Sequence, residues 1–515
     1  MASKLGFGET KGSTMDERVI ITGADLVTLD AEERVISDGV LALEGDRITF
    51  VGTSSDPDAP AAGEDTACID GRGKVVMPGF SNCHTHSYAA LLKGSVDRVP
   101  LDVFMVTAIL GAGARTPRDV YLAAKISAAE MLMTGTTACL DHFSHRPRHT
   151  GEALDAVCSA YADGGVRAAV APMFSDLPFR ETIPLRDRDM DPALAQTLPG
   201  TGADPDPYFE MMEAALARWN GHATVSVMLG VDSPQRCSEA LLARAGAFCA
   251  QHDIGNHTHL LEAKTQWAMA AGRDARGFVD YLADLGLAGP RSSFAHFIWF
   301  TEADVARAAQ SGVNVIHNPA SNLVLGSGIQ PLLTLIDAGV RVAFGSDGLN
   351  VGHLSMFEKT RLAAYLTRVT EADPARWLSA PSALKMATVN GAAAVGLAGK
   401  AGMLAPGQLA DFVILDGNSV ALSPRGDLPT QIVFYETGAG VRDVFVAGEH
   451  VLKDGAPTRF DLADTLAEAR EAAERLTRET EDMVAKVEAF RPGLTNMVRR
   501  IVAQEDGPCR IAKLC

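Results

Sequence analysis

The sequence predicts an α/β fold, namely a (β/α)8 TIM barrel with a small β-sandwich built from both chain ends and a C-terminal helix. Short apolar segments that end in polar residues alternate with segments of helical spacing, such as 302–310 and 332–338. Because parallel strands need crossover helices, this alternation indicates a parallel sheet. Strand patterns at 18–52 and 410–455 flank the alternating region, and an apolar stripe at 462–490 predicts a long helix.

The strands of the predicted barrel end in polar residues that we expect to face one mouth, since functional groups of such barrels lie at the carboxyl ends of the strands. The expected strand ends are His86, His142, Ser175, Asp232, His259, His296, Asn318 and Asp347. On the first strand, His84 and His86 are two residues apart and therefore point to the same side. Neutral imidazole is a standard ligand of divalent metals, so this pair predicts a metal site.

The motifs, in this order, resemble those of the amidohydrolase superfamily. The matching residues are His84-Thr85-His86 after strand one, His259 after strand five, His296 after strand six and Asp347 after strand eight. Three further runs, at 259–262, 317–322 and 407–411, are similar to one branch of that superfamily. It holds S-adenosylhomocysteine and methylthioadenosine deaminases, 8-oxoguanine deaminase and the s-triazine hydrolases. The resemblance extends from about Val19 to about Leu452.

The resemblance implies one divalent metal ion held by His84, His86, His259 and Asp347. Zinc suits a nitrogen-rich site without redox chemistry, and Fe2+ is the alternative, since affinity order alone does not decide which metal is bound. Some superfamily members hold two metals bridged by a carboxylated lysine from strand four. The corresponding segment here, residues 225–232, contains no lysine, so we expect a single ion.

Three residues are predicted to be catalytic. A bound divalent metal lowers the pKa of its water from ~16 toward ~7, and Asp347 beside that water can accept the proton released on attack. Glu262 follows ligand His259 by three residues and can carry a proton to the departing nitrogen. His296 can orient the nucleophile or polarise the attacked bond.

Five residues are predicted to contact the substrate. His317, Asn318 and Asn322 lie in a loop after strand seven, and their amide and imidazole groups can hydrogen-bond to ring nitrogens and exocyclic oxygens. His142 follows strand two, and Trp299, after strand six, can stack on a planar ring. Structural roles for these residues are the alternative, in the turn after strand seven and in packing around Trp299.

Composition excludes several classes of partner. The 515 residues include 46 Lys and Arg against 64 Asp and Glu, a formal charge of −18, which argues against a nucleic-acid partner or an anionic membrane surface. No apolar run approaches the ~20 residues of a transmembrane helix. The eight cysteines show no CxxC or paired spacing, so we expect reduced thiols in a cytoplasmic protein. We also expect a homo-oligomer, a dimer or tetramer.

The expected organisation has five parts. They are a tail or tag at 1–17, of which 1–14 need not be native, the first part of the sandwich at 18–75, the metal-dependent hydrolase barrel at 76–403, the second part of the sandwich at 404–458, and a C-terminal helix and tail at 459–515. Pro492 is expected to end the C-terminal helix, because proline cannot donate the main-chain hydrogen bond of a helix interior.

These expectations combine into a metal-dependent aminohydrolase, a cyclic-amidine deaminase. Metal-bound hydroxide would attack an electron-poor carbon of a small aminated heterocycle of the purine, pterin, pyrimidine or triazine type and release ammonia or an amine. The alternatives are an amidohydrolase that cleaves an amide or urea C–N bond and a triazine-type dehalogenating hydrolase. A non-catalytic scaffold is a remote alternative, because all the expected ligands and Glu262 are present.

Overall fold

The computed structural model describes residues 18–61, 63, 66–95, 97–110, 113–146, 148–190, 192, 202–271, 273–274, 276–504 and 507–508. The predicted tail or tag at 1–17 lies outside these residues. The described strands are β1 (Arg18–Val27), β2 (Val35–Glu44), β3 (Arg47–Thr53), β4 (Thr66–Asp70), β5 (Lys74–Pro78), β6 (Phe80–His86), β7 (Thr136–Asp141), β8 (Arg167–Val170), β9 (Met173–Phe174), β10 (Val225–Val227), β11 (Leu229–Val231), β12 (Asn256–Leu260), β13 (Ser292–His296), β14 (Asn314–His317), β15 (Arg341–Phe344), β16 (Asp347–Gly348), β17 (Phe412–Asp416), β18 (Val441–Val446), β19 (Glu449–Lys453) and β20 (Ala456–Pro457).

The described helices alternate with the central strands and then follow them. They are α1 (Leu101–Leu110), α2 (Pro117–Met133), α3 (Gly151–Gly164), α4 (Asp206–Trp219), α5 (Glu239–His252), α6 (Lys264–Ala270), α7 (Phe278–Asp284), α8 (Glu302–Ser311), α9 (Pro319–Val324), α10 (Leu332–Asp337), α11 (Met356–Thr370), α12 (Ala380–Ala387), α13 (Val389–Ala394), α14 (Leu428–Phe434) and α15 (Leu462–Val502). Within the described part of the chain, no helix has both the length and the apolar character that a membrane crossing requires.

Two parallel sheets carry the strands that alternate with helices. Their strand orders are β10-β8-β7-β6-β16 and β15-β14-β13-β12-β11-β9. Strand positions three, four and eight are each formed by two short successive strands, namely β8 with β9, β10 with β11, and β15 with β16. Each of the predicted polar strand-end residues lies within one residue of the last residue of its strand. These parallel sheets and crossover helices give the α/β TIM-barrel class of fold that the sequence predicts.

A separate nine-stranded sheet unites the two ends of the chain. Its order is β20-β19-β18-β17-β5-β1-β2-β3, with β4 beside β1. Strand β5, which precedes the barrel, pairs antiparallel with β17, which follows it, so that Met77 lies opposite Val413. Both chain ends therefore build one sheet. A two-layered sandwich and the division of the chain into domains stay predictions.

A buried ion pair connects this sheet to the barrel. Arg167, at the start of β8, donates from Nε to Asp411 Oδ2 at 2.6 Å and from Nη2 to Asp411 Oδ1 at 3.2 Å. The main-chain N–H of Ala447 also donates to Asp411 Oδ1, at 2.7 Å. Removing one partner of a buried pair of this kind typically costs about 3–5 kcal/mol. The run at 407–411 therefore has a structural role at the base of the barrel.

The C-terminal helix corrects one prediction. The expectation that Pro492 ends the helix is wrong, because α15 continues for ten further residues, to Val502. Proline removes one hydrogen bond and crowds the preceding turn. Beyond it, however, Leu494 and Met497 are buried in one apolar cluster with Val103 from α1 and Phe179 from the segment after β9. This packing outweighs the local preference and sets α15 against the loops at the barrel mouth.

Candidate metal centre and substrate cavity

Four side chains from three strand positions meet at the mouth, and we call His84, His86, His259 and Asp347 the strand-end cluster. The Nε2 atoms of His86 and His259 are 3.2 Å apart. Oδ1 of Asp347 lies 3.2 Å from Nε2 of His86 and 3.9 Å from Nε2 of His84. Nε2 of His84 is buried and has no hydrogen-bond partner in the described chain. All four side chains that the sequence singles out as ligands therefore lie together.

Main-chain carbonyls orient two of these imidazoles. Nδ1 of His86 donates to the carbonyl of His142 at 2.7 Å, and Nδ1 of His259 donates to the carbonyl of Asp232 at 2.7 Å. A neutral ring that donates from Nδ1 has its lone pair on Nε2. In its neutral form each ring therefore presents an Nε2 acceptor to the centre of the cluster.

Two further histidines join the cluster. Nδ1 of His84 lies 2.8 Å from Nε2 of His257, whose own Nδ1 lies 2.6 Å from the hydroxyl of Ser293. Both ring nitrogens of His142 are buried and lack a partner among the described residues. One of them lies within 4.8 Å of ring nitrogens of His84 and His259. His257 thus orients His84, and His142 is a further imidazole donor beside the cluster.

The charge state of the cluster suits a cation. Burial, reinforced by neighbouring imidazoles, holds the pKa of His84 well below its usual range and lowers that of His259 to about 3. Burial raises the pKa of Asp347, but its hydrogen bond and charge interaction with His86, together with His296 and Ser321, more than reverse this and leave the pKa lowered. Burial lowers the pKa of His86, but the hydrogen bond and charge of Asp347, with the hydrogen bond to the His142 carbonyl, leave it raised. Neutral His84 and His259, an ionised carboxylate and a buried nitrogen without a partner fit a divalent metal ion.

Glu262 and His296 lie beside the cluster. Burial, with the nearby charge of Asp347, raises the pKa of Glu262 well above its usual range. Nδ1 of His296 lies 2.8 Å from Oδ1 of Asn322, whereas its Nε2 is buried without a partner and lies 4.0 Å from Oδ2 of Asp347. Both His296 (φ 70°) and Asp347 (φ 62°) adopt the left-handed backbone conformation. Such strain costs about 1–3 kcal/mol and is concentrated at functional sites.

A cavity of about 340 Å³ opens beside these groups. Five residues of the described wall belong to the strand-end cluster or lie beside it, namely His86, His259, Glu262, His296 and Asp347. Apolar and aromatic side chains such as Phe104, Phe174 and Tyr208 also line the cavity. The cavity therefore places a small molecule between the strand ends and the loops.

The five residues predicted to contact the substrate lie elsewhere. The described part of the cavity wall does not include His142, Trp299, His317, Asn318 or Asn322. The indole Nε1 of Trp299 donates to the carbonyl of Ser327 at 2.7 Å, and Asn322 contacts His296. The role of these five in substrate binding stays a prediction.

Sequence reasoning missed several supporting residues. His257 shares a strand face with His259, two residues on, and this spacing was a usable signal. The hydroxyl of Ser321 donates to Oδ2 of Asp347, and Arg236 reaches the cavity from a loop. Ser321 lies within the run 317–322 and begins α9 with its neighbours, but the run alone does not show that its hydroxyl reaches Asp347. Arg236 carries no motif, since its position depends on how the turn Pro234–Arg236 returns to the mouth.

A barrel mouth that gathers imidazoles, a carboxylate and an acid–base pair beside a cavity is typical of metal-dependent hydrolases. The model of the amidohydrolase family matches residues 75–451. The 5'-deoxyadenosine deaminase of Methanosarcina mazei is 31% identical over 462 residues, which are 89% of this chain and 98% of the relative. The 5-methylthioadenosine/S-adenosylhomocysteine deaminase of Syntrophomonas wolfei is 30% identical over 464 residues, 89% of this chain and 99% of the relative. The chain belongs to the amidohydrolase family.

Solved structures agree with this placement. The adenosine deaminase of Xanthomonas campestris with bound zinc superposes with a TM-score of 0.78 at 26% identity, covering 89% of this chain and 98% of that one. The atrazine chlorohydrolase of Arthrobacter aurescens, complexed with zinc, has a TM-score of 0.78 at 23% identity and covers 88% and 100% of the two chains. The second likeness concerns the fold alone.

Proposed function

We propose that the protein is a metal-dependent deaminase of a small aminated heterocycle. It replaces an amino group on an electron-poor ring carbon by oxygen and releases ammonia. The observation that carries this proposal is the position of Glu262 and His296, which border the cavity directly beside the strand-end cluster. Two relatives that are named deaminases, and that match this chain over nearly their whole length, support the same reaction.

The strand-end cluster would hold one divalent ion, and we propose zinc, with Fe2+ as the alternative. Bound there, the ion supplies a Lewis acid that lowers the pKa of water. Strands β10 and β11, at position four of the barrel, contain no lysine for a bridged second ion. Zinc in the Xanthomonas campestris structure supports this choice.

Asp347 and Glu262 each carry out one proton transfer. The carboxylate of Asp347 accepts a proton from the attacking water. Glu262, whose raised pKa favours the protonated form, delivers a proton to the departing nitrogen, so that the C–N bond breaks with loss of ammonia. His296 presents Nε2 to the same space and orients the attacked group. The ring carbon gains one oxygen and loses one nitrogen.

Ammonia release from a panel of amino-purines, amino-pterins, amino-pyrimidines and amino-triazines tests the proposal with zinc-loaded protein. Asp347→Asn is expected to abolish turnover at matched metal content while the fold is retained. Asp337→Asn, an exposed change on α10, is the matched control and should leave turnover intact. A carboxylate or halide product without ammonia would instead establish one of the other hydrolytic reactions.

We further propose that the protein works in the cytoplasm as a dimer or tetramer without a nucleic-acid partner. The acidic composition supports the absence of a nucleic-acid partner, and the absence of paired cysteine spacing supports a cytoplasmic location. Native mass measurement of the purified full chain tests the subunit number, and a purely monomeric species would contradict it.

A further inference from the structure

The cavity has a second polar feature, formed by Asp232 and Arg236, outside the strand-end cluster. We propose that this pair recognises a lactam edge of the substrate, that is, a ring N–H next to a ring C=O. The inference rests on the proposed deaminase function and narrows it to oxo-substituted amino-heterocycles.

The pair lies where a ring bound for attack would present its edge. Asp232 directly follows β11, and its carbonyl accepts the hydrogen bond of His259, so its carboxylate lies next to the cluster. Oδ1 of Asp232 is 3.8 Å from Nδ1 of His259. Arg236 ends the single turn that follows, and both side chains line the cavity while being at most 10% exposed.

The pairing between the two side chains is incomplete. Nη1 of Arg236 lies 3.4 Å from Oδ2 of Asp232, longer than the usual 2.9 Å or so of a good hydrogen bond. No described residue donates to the Asp232 carboxylate at a shorter distance. Nε of Arg236 is buried without a partner in the described chain, and Phe179 covers the guanidinium at 5.1 Å. Buried polar groups are normally satisfied, so these indicate a partner that comes from outside the chain.

The chemistry of that partner follows from the two groups. Asp232 offers acceptors, and Arg236 offers donors a few ångströms away, so the complementary edge has a donor next to an acceptor. A lactam provides this within one ring, with N–H toward Asp232 and C=O toward Arg236. A ring edge with acceptor nitrogens alone would face the lone pairs of Asp232.

Matched substrates that differ in the lactam alone test the inference. Isocytosine is compared with 2-aminopyrimidine, and guanine with 2-aminopurine, in the wild-type protein, in Asp232→Asn and in Arg236→Gln. Arg244→Gln, an exposed change on α5, is the control. Intrinsic ring reactivity is the same for every variant, so changes in the ratio of kcat/KM values report recognition.

In one of the two substrate pairs, the wild-type kcat/KM for the ring with the lactam is expected to exceed that for the ring without it by at least about 100-fold. Each variant should lower kcat/KM for the lactam, at equal metal content, by about 10- to 100-fold more than it lowers kcat/KM for the ring without the oxygen. Arg244→Gln should keep the wild-type ratio. A ratio unchanged in both variants, or an equal loss for both members of a pair, overturns the inference and leaves the deaminase proposal standing.

A binding measurement distinguishes failure of lactam recognition from failure of the proposed deaminase function. If no ring releases ammonia, the deaminase proposal fails, and calorimetric binding of hypoxanthine against purine then decides about the pair. Tighter binding of hypoxanthine that both variants weaken supports lactam recognition. Equal binding of the two rings overturns it.

Discussion

The strand ends that carry the histidines and the loops that face them across the cavity are held in different ways. At the strand ends, His86 and His259 are each fixed by a hydrogen bond to a main-chain carbonyl. The facing side, which we call the outer wall, comprises α1, residues 175–190 and the turn Pro234–Arg236. It is held by side-chain packing, in which Val103 and Phe179 lie against Leu494 of α15.

This difference separates chemistry from substrate choice. The backbone of the barrel fixes the strand-end cluster, so a change in the outer wall leaves the reacting groups in place. The outer wall depends on distant segments, so it can alter in shape or polarity without disturbing the strands. Changes at the strand ends should therefore affect kcat or metal affinity, whereas changes in the outer wall should affect KM, discrimination and stability.

The largest effect is expected for Glu262→Gln at the strand ends. Losing the proton carrier should lower kcat by about 10²- to 10⁴-fold, with metal content and Tm close to those of the wild type. Steady-state kinetics with ammonia detection and metal analysis measure this. Glu239→Gln, at the exposed start of α5, is the control. A kcat within the range of that control would remove Glu262 from the chemistry.

In the outer wall, Leu494→Ala tests whether packing shapes the cavity. Leu494 is fully buried, and its truncation should lower the free energy of unfolding by about 2–5 kcal/mol. Because α15 supports α1, whose Phe104 lines the cavity, KM should rise while kcat changes little. Leu466→Ala, at a partly exposed position on the same helix, is the control. A fall in kcat with unchanged KM would break the distinction between the two regions.

The same difference between the strand ends and the outer wall explains how much of the structure can be predicted from the sequence. The strand-end residues follow from local pattern, since a histidine at a strand end such as His86 or His296 faces the mouth wherever a barrel forms. The outer wall has no local signature, because it arises where α15 returns to loops hundreds of residues earlier. Pro492 shows the limit most clearly. Its local rule predicts a helix end, and tertiary packing around Leu494 overrides it.

The substrate contacts illustrate the limit in another way. Trp299 has the ring that stacking requires, yet its indole donates to the carbonyl of Ser327. Arg236 carries no motif, yet it lines the cavity. A side chain's reach into a cavity depends on its loop conformation, and a pattern of residue types contains no such information.

A smaller effect at the strand ends is expected for His257→Asn. His257 orients His84 through a 2.8 Å contact and does not border the cavity in the described part of its wall. Losing such a supporting partner typically costs about 10- to 100-fold in metal affinity. Zinc competition with a chelator measures it, and His222→Asn, an exposed histidine, is the control. Unchanged affinity would mean that the strand alone fixes His84.

The smallest effect is expected from a pH-dependent contact in the outer wall. Arg500 of α15 donates from Nη2 to the carbonyl of Pro184 at 2.8 Å and also pairs with Asp189. Burial raises the pKa of Asp189, but the hydrogen bonds from Arg500 and from the main chain of Arg186, with the nearby guanidinium charges, together outweigh burial and lower it overall. A lowered pKa in the folded state means that the pair stabilises the fold above the ordinary Asp pKa of about 3.9.

Arg500→Gln should therefore lower the free energy of unfolding by about 1 kcal/mol at pH 7, and this difference from the wild type should fade as the pH falls below about 4. Urea unfolding at several pH values measures it, with Arg491→Gln, on the same helix and paired with Glu488, as the control. The loss should leave kcat unchanged, because the contact is remote from the strand ends. A pH-independent difference would mean that Arg500 acts through packing and its bond to Pro184, and that the outer wall is held without the help of charge.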